Sequence, residues 1–425
     1  MLDIRMIRES SATVRAALER RDLALGPRVD EAAALDRRRR DLLVDVERLK
    51  AERNERSAEV ARRKKAREDA VELIESLKGV SDRIKALDDQ LRQVDADLDE
   101  RLLQLPNVPL PEIPTGGADA HRVVRTWGEP PSMAFTPRPH WELGEALGIL
   151  DLPTGAKLAG SGFPLLVGLG ARLVRALAGF MLDLHTRQHG YVEVAPPYLA
   201  NADSARGTGQ LPDLEHNMYV TADGLYLIPT AEVPLTNIHR DDIVAGERLP
   251  LAYAAWTPCF RREAGAHGKD TRGLIRVHQF DKVELVRFCR PEASPTEHEL
   301  LLGHAEAVLQ RLGLPYRVVL LASGDFGFAS AKTYDLEVWA AGVGTWLEVS
   351  SASSYTDFQA RRANIRYRSA PGTKPDFLHT LNASGLAFPR TIIALLENHQ
   401  RADGSVTIPD ALVPYLGTDR LDPHP

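Results

Sequence analysis

Pro258-Cys259-Phe260-Arg261-Arg262-Glu263-Ala264-Gly265, followed by Arg276-Val277-His278-Gln279-Phe280-Asp281-Lys282-Val283-Glu284, reads as two strands joined by a polar loop. Arg261 and Glu263 are two apart, so on an extended chain they share a side. The same alternation puts Phe280, Lys282 and Glu284 on one face and Asp281 with Val283 on the other. Gly265–Gly273 holds three glycines with His267, Lys269, Asp270 and Arg272, a composition able to close over a charged ligand. An arginine, an aromatic ring and a carboxylate on neighbouring strands suit a phosphate, a flat base and an ammonium or hydroxyl. The plain alternative for any one of them is a solvated surface hairpin.

The bulk properties bound the rest. A chain of 425 residues allows two or three domains, and 44% hydrophobic with 26% charged residues is ordinary for a soluble globular protein. The net charge of −6 carries no basic bias, so any nucleic-acid contact must be local or made through shape. Cys259 and Cys289 are too few for a disulfide framework or a structural zinc site and are expected as buried free thiols. The opening Met1–Glu9 is too charged for a signal peptide, and no apolar run reaches membrane length. A cytoplasmic protein without membrane contact is expected.

From about Arg28 to Leu105 there is no proline and one glycine, Gly79. Leu77, Val80, Ile84, Leu87, Leu91, Val94 and Leu98 recur at steps of three and four, the seam of a coiled-coil helix. Leu35, Leu42 and Leu49 recur every seven, with Val46 between. The seam lapses from Ser57 to Asp69, which predicts an antiparallel helical hairpin with its tip near 62–70. Residues 28–67 are basic and 68–101 acidic, so opposite charges flank the seam. A spacer or dimerisation device is the bland function, and a rigid basic arm for an RNA backbone the sharper one. Leu105 to Pro114 holds four prolines and is followed by Gly116-Gly117, which must end the arm. The expected division is an arm over 1–105, a linker over 106–120 and a catalytic domain over 121–425.

The opening stretch resembles motif 2 of class II aminoacyl-tRNA synthetases in their bacterial seryl form. Gly190-Tyr191-Val192-Glu193-Val194-Ala195-Pro196-Pro197 is similar to motif 1, and Leu227-Ile228-Pro229-Thr230-Ala231-Glu232-Val233-Pro234 to the serine-binding stretch. Asn382-Ala383-Ser384-Gly385-Leu386-Ala387 through Arg390 and Glu397-Asn398 is similar to motif 3. The likeness covers nearly the whole chain in order. It implies an α+β fold: an antiparallel two-helix coiled-coil arm, and a class II domain with a central antiparallel sheet flanked by helices. It also implies a homodimer through motif 1 and an arm that binds tRNA(Ser), with tRNA(Sec) a further candidate.

The implied reaction activates L-serine with ATP, then transfers it to the tRNA 3′ end. By this resemblance Arg261 contacts the α-phosphate and the serine carboxylate, and Arg390 the far phosphates, with Glu348 the third candidate catalytic group. Glu263 and the backbone at Val277 would hold the adenine edge and Phe280 its face, with Arg262 and Arg276 among these contacts. Glu348-Val349-Ser350-Ser351 would belong to the ATP site, with Glu348 and Ser351 offering hard oxygens to Mg2+. Thr230, Ala231, Glu232, Arg261, Glu284, Asn382 and Ser384 would form the serine pocket.

Some positions depart from the family pattern. Ala383 and Pro389 stand where glycines are usual, Leu347 where an arginine is usual, and Gly160–Pro164 lacks the common Arg-Phe-Tyr. Alanine and proline restrict the backbone, so altered geometry is expected beside the site. A specialised copy serving natural-product biosynthesis or self-resistance therefore stays open. An amino acid–carrier-protein ligase is a second rival, against which the arm counts. A binding-only module would not need the full set of charged residues.

Overall fold

The computed structural model describes residues 1–264 and 272–424, which divide into two compact units, Met1–Val108 and Pro109–Pro425. Most of the Gly265–Gly273 loop, including His267, Lys269 and Asp270, lies outside the described residues.

The first unit is built on helices α1 (Ile4–Glu19), α2 (Leu25–Ala66) and α3 (Val71–Leu103). The two seams meet as expected: Leu49, Val80 and Ile84 are buried together with Leu87 against them. Arg67 takes a left-handed φ of 57°, and the Glu68 amide donates to the Arg63 carbonyl at 2.9 Å, reversing the chain within the expected tip. Basic α2 also pairs with acidic α3, through Arg39 with Asp95 at 2.5 Å and Lys50 with Asp88 at 3.5 Å, and one pair of reversed sign joins Glu31 of α2 to Arg101 of α3 at 3.2 Å. Helix α1 has no counterpart in the sequence reading. It buries Ile7, Val14 and Leu18 and sends Arg8 onto the buried Asp36 of α2 at 2.8 Å. At the tip Arg62 and Arg63 both donate to Glu59 and hold its carboxyl down at about 2.

The second unit carries an eight-stranded sheet. Its strands are β1 (Arg122–Trp127), β2 (Val192–Glu193), β3 (Leu251–Phe260), β4 (Gln279–Cys289), β5 (Tyr316–Leu320), β6 (Lys332–Ala340), β7 (Thr345–Ser354) and β8 (His379–Ala387). The order is β1-β5-β6-β7-β8-β4-β3-β2, antiparallel except where the outer β2 runs parallel to β3. Helices α4 (Leu169–Arg187), α5 (Ser294–Arg311) and α6 (Phe388–Asn398) pack on it. Their apolar sides share one core with Val283 and Leu285 of β4 and Leu381 and Ala383 of β8. Residues of the proline-rich stretch are tied into this unit rather than loose: Leu110 donates to the Ala331 carbonyl, and Pro114 accepts from Ser323, each at 2.9 Å. Cys259 and Cys289 are buried free thiols. No described helix is long and apolar enough to cross a membrane.

Two register shifts set the faces of the central strands. In β7, Leu336 and Glu337 of β6 face Ser350 and Glu348, so Val349 is an extra residue. In β8, Ser384 and Leu386 face Glu284 and Val283 of β4, leaving Gly385 extra. A bulge changes which side the following residues face.

Leu49→Ala removes a side chain only 1% exposed and is expected to cost about 2–5 kcal/mol. Hydrogen exchange of the full chain should then quicken across α2 and α3 while β4 stays unchanged. Unaltered protection in the arm would contradict the seam.

Candidate active site

The bulges bring polar groups from four strands to one cavity of about 590 Å³. On β7, Glu348 and Ser351 are three apart and would face opposite ways on a regular strand. The extra Val349 lets both line the cavity, with Ser353 beyond. On β8, Asn382 and Ser384 line it, and after Gly385 the phase reverses so that Leu386 enters the core. A Cβ on Gly385 would lie 2.9 Å from His185 Nε2 and 3.0 Å from Val283 Cγ1, so the bulge needs glycine.

The cavity floor is a buried polar network. Asn382 Nδ2 donates to Glu232 Oε2 at 3.0 Å and to Glu284 Oε1 at 2.8 Å, while Tyr355 donates to Asn382 Oδ1 at 2.8 Å. Gln359 donates to the other oxygen of Glu232 at 2.5 Å. Lys282 pairs with Glu284 at 2.5 Å and donates to Thr230 Oγ1 at 2.8 Å. Burial, then the charge of Glu284, lifts the Glu232 carboxyl to about 7.

Arg261, Arg276 and Arg390 line the same cavity. Arg261 donates its backbone N–H to the His278 carbonyl at 2.8 Å and rests its side chain 5.3 Å from the Phe280 ring centre. Glu263 has a φ of 46° and pairs with Arg276 at 3.1 Å. Arg390, in the first turn of α6, donates to the Glu348 carbonyl at 2.7 Å and lies 3.3 Å from its carboxylate. Pro389 fits that first turn, where no N–H is needed. Ala383 sits in regular strand pairing with Ala352 and Leu285, its methyl in the core. Leu347 packs against the same core. Neither Ala383 nor Pro389 takes a positive φ.

Of the residues singled out from sequence, Thr230, Glu232, Arg261, Glu263, Arg276, Val277, Phe280, Glu348, Val349, Ser351, Asn382, Ser384 and Arg390 line the cavity. Four do not. Ala231 is fully buried, Arg262 is exposed, and Glu284 lies behind Lys282 and Asn382. Ser350 faces away and donates to the Ser384 carbonyl at 2.6 Å. Sequence reasoning missed Lys282 as a floor group, Asp335, Tyr355, and Asn217, whose side chain accepts from the Ala264 amide at 3.1 Å. It also gave no role to His140, whose Nδ1–H donates to Glu397 at 2.8 Å while Nε2 accepts from the Leu274 amide at 3.0 Å. Glu397 further accepts from the amides of Gly342 and Val343, so this buried pair anchors the wall that leads to Val277. Among the described residues no group of three or more His, Cys, Asp or Glu could hold a metal ion. Glu348 and Ser351 are hard oxygen donors that fit Mg2+ shared with phosphates, which needs only one or two carboxylates.

Residues 1–109 match the model of the seryl-tRNA synthetase N-terminal domain, and residues 219–399 match the class II tRNA synthetase core domain for Gly, His, Pro, Ser and Thr. A serine–tRNA ligase of Gemmatimonas aurantiaca is 54% identical over 98% of this chain and 99% of its own. The chain belongs to the seryl-tRNA synthetase family. A serine–tRNA ligase of Carboxydothermus hydrogenoformans is 53% identical over 99% of both chains. The seryl-tRNA synthetase of Pyrococcus horikoshii, solved with ATP, superposes with a TM-score of 0.97 at 39% identity over the whole of both chains. The Naegleria fowleri serine–tRNA ligase, solved with AMP, gives 0.91 at 29% identity, covering 100% of this chain and 99% of its own. The fold expected for a seryl-tRNA synthetase, a helical arm and a largely antiparallel sheet flanked by helices, is the one observed.

Gly385→Ala is expected to push the bulge away from His185 and Val283 and cost about 1–3 kcal/mol. The check is the midpoint of thermal unfolding; a wild-type midpoint would show that the bulge tolerates a methyl group.

Proposed function

We propose that this protein activates L-serine with ATP and transfers the serine to the 3′ end of tRNA(Ser). The observation that carries the reading is the convergence, in one cavity, of three guanidinium groups, an aromatic ring and a buried carboxylate floor. In the first step the serine carboxylate oxygen bonds to the α-phosphorus and pyrophosphate leaves. In the second a ribose hydroxyl of the tRNA attacks the seryl carbonyl and AMP leaves. The first step brings two anions together, so fixed positive charge must meet the oxygens where negative charge gathers. Arg261, whose Nε donates to the Pro229 carbonyl and whose guanidinium lies over Phe280, serves the α-phosphate and serine carboxylate; Arg390 serves the far phosphates. Phe280 and Glu263 receive the adenine. Glu232, Thr230 and Asn382 take the ammonium and hydroxyl of serine, and a site built to bond that hydroxyl rejects an analogue lacking it. Glu348 and Ser351 would hold Mg2+, which would supply charge neutralisation to the phosphates.

The arm reads as the tRNA-binding element, with exposed Arg37 and Arg38 on α2 suited to an RNA backbone. Exposed Val192, Tyr198 and Leu199 along outer strand β2 and just beyond support a homodimer through that edge. The reading includes a cytoplasmic location. The accommodated Ala383 and Pro389 favour ordinary activity over a specialised copy, and the N-terminal domain match favours tRNA over a carrier-protein acceptor.

The test is transfer of labelled serine to bulk bacterial tRNA with ATP and Mg2+, with purified tRNA(Sec) run in parallel. Charging of tRNA(Ser) is expected; serine-dependent ATP–pyrophosphate exchange without charging would point to another acceptor. Arg261→Ala should lower the exchange kcat/KM by about a hundredfold or more, close to 3 kcal/mol. A carboxyl held at about 7 loses its charge as pH falls through 7, so the attraction for the serine ammonium falls with it. KM for serine should rise below pH 7 by up to about tenfold per unit and level off above it. Glu232→Gln should flatten that profile; a wild-type profile already flat from pH 6 to 8 would remove Glu232 from ammonium binding.

A further inference from the structure

The ladder between β6 and β7 holds a carboxylate that the reading above does not use. Asp335 lies directly across from Ser351, and two rungs on Thr333 pairs with Ser353. Ser351 Oγ donates to Asp335 Oδ1 at 2.6 Å and also lies within reach of Glu348 Oε1, at 3.1 Å. Thr333 and Ser353 bond to each other at 2.9 Å, so that rung already satisfies itself. Asp335 is only 9% exposed yet lines the cavity.

A serine hydroxyl has one proton and two lone pairs. To ligate a cation it must turn the lone pairs toward the ion and the proton away from it. Two acceptors compete for the Ser351 proton, and they differ in what a cation would do to them. Glu348 is the carboxylate that would itself turn to the ion, and a hydroxyl proton pointing at it would point toward the ion as well. Asp335 stands on the neighbouring strand at the shorter distance and can take the proton without being a ligand. The extra Val349 matters here, because without it Glu348 and Ser351 could not share a side while Asp335 stayed opposite Ser351.

We propose that Asp335 is a positioning residue for the divalent cation, holding the Ser351 proton so that the Ser351 oxygen presents its lone pairs to the ion. The inference rests on the reading of Glu348 and Ser351 as the Mg2+ site. Asp335 needs no contact with ATP or with the ion, and its effect passes through Ser351 alone. That makes it separable from a merely structural role. A carboxylate that only satisfied the fold would change the protein with or without Ser351, and with or without metal.

The test uses the full chain, with Mn2+ as the probe for the cation and electron paramagnetic resonance as the readout of free Mn2+ in the presence of ATP. Ser351→Ala and Asp335→Ala should each weaken Mn2+ binding by at least about tenfold, the size expected when a group orienting a ligand is lost. The double variant should lose no more than either single one, because the two act in series. Asp335→Asn, whose amide oxygen still accepts a proton, should stay within about threefold of wild type. ATP binding in EDTA should be the same in all four. The inference is overturned if Asp335→Ala binds Mn2+ like wild type while Ser351→Ala does not, which leaves the cation reading standing. It is overturned if the double variant is weaker than both singles, which would make Asp335 a ligand in its own right. Loss of ATP binding in EDTA in Asp335→Ala would assign it a structural role instead. If Ser351→Ala and Glu348→Ala both bind Mn2+ normally, the cation reading fails and the inference falls with it.

Discussion

The second unit depends on a charge imbalance buried at the floor of its cavity. Glu232 and Glu284 are 5% and 0% exposed, and one buried ammonium, Lys282, is paired with Glu284. Two carboxylates so close cannot both ionise cheaply away from water, and the raised carboxyl of Glu232 expresses that. Asn382 ties the two together, Tyr355 fixes Asn382, and Gln359 fixes Glu232. Such a network is stable only when every member has a partner. It lacks one positive charge, and an amino acid brings one. The proposed serine pocket is thus a place where the fold's own electrostatics are completed by the substrate.

Around that floor the strands had to break their own alternation. Regular pleating would send Ser384 and Leu386 to one side, and Glu348 and Ser351 to opposite sides. Extra residues at Gly385 and Val349 solve both problems, keeping apolar side chains in the helix-covered core and oxygens in the cavity. The buried pair of His140 and Glu397 then joins α6, the β6–β7 hairpin and the segment at Leu274. Arg390 projects from the same helix that Glu397 ends, so phosphate contact and wall geometry share one support.

What could be read in the sequence follows from these physics. The arm was legible because a coiled-coil seam repeats locally, and Leu49, Val80 and Ile84 meet as their spacing requires. Helix α1 was open to the same reading, since its buried Ile7, Val14 and Leu18 recur at steps of seven and four, though its ion pair to Asp36, 28 residues on, was not. The residues that line the cavity were found through resemblance, not periodicity, and most of them converge. Ser350 was included because it lies between two lining residues, but the bulge turns it to the Ser384 carbonyl. Lys282 was legible too, since it alternates in phase with Phe280 and Glu284. Asp335 and Asn217 were not, because their meaning comes from a cross-strand partner and a loop contact. Ala383 and Pro389 looked like disturbances until the strand register and the first turn of α6 showed room for both.

The most direct test is a crystal structure of the protein with a non-hydrolysable seryl-adenylate analogue. The account predicts the seryl ammonium about 3 Å from Glu232 or Thr230, with Lys282 still on Glu284 and the adenine against Phe280. A seryl group bound away from that floor, with Glu232 left without a cation, would contradict it.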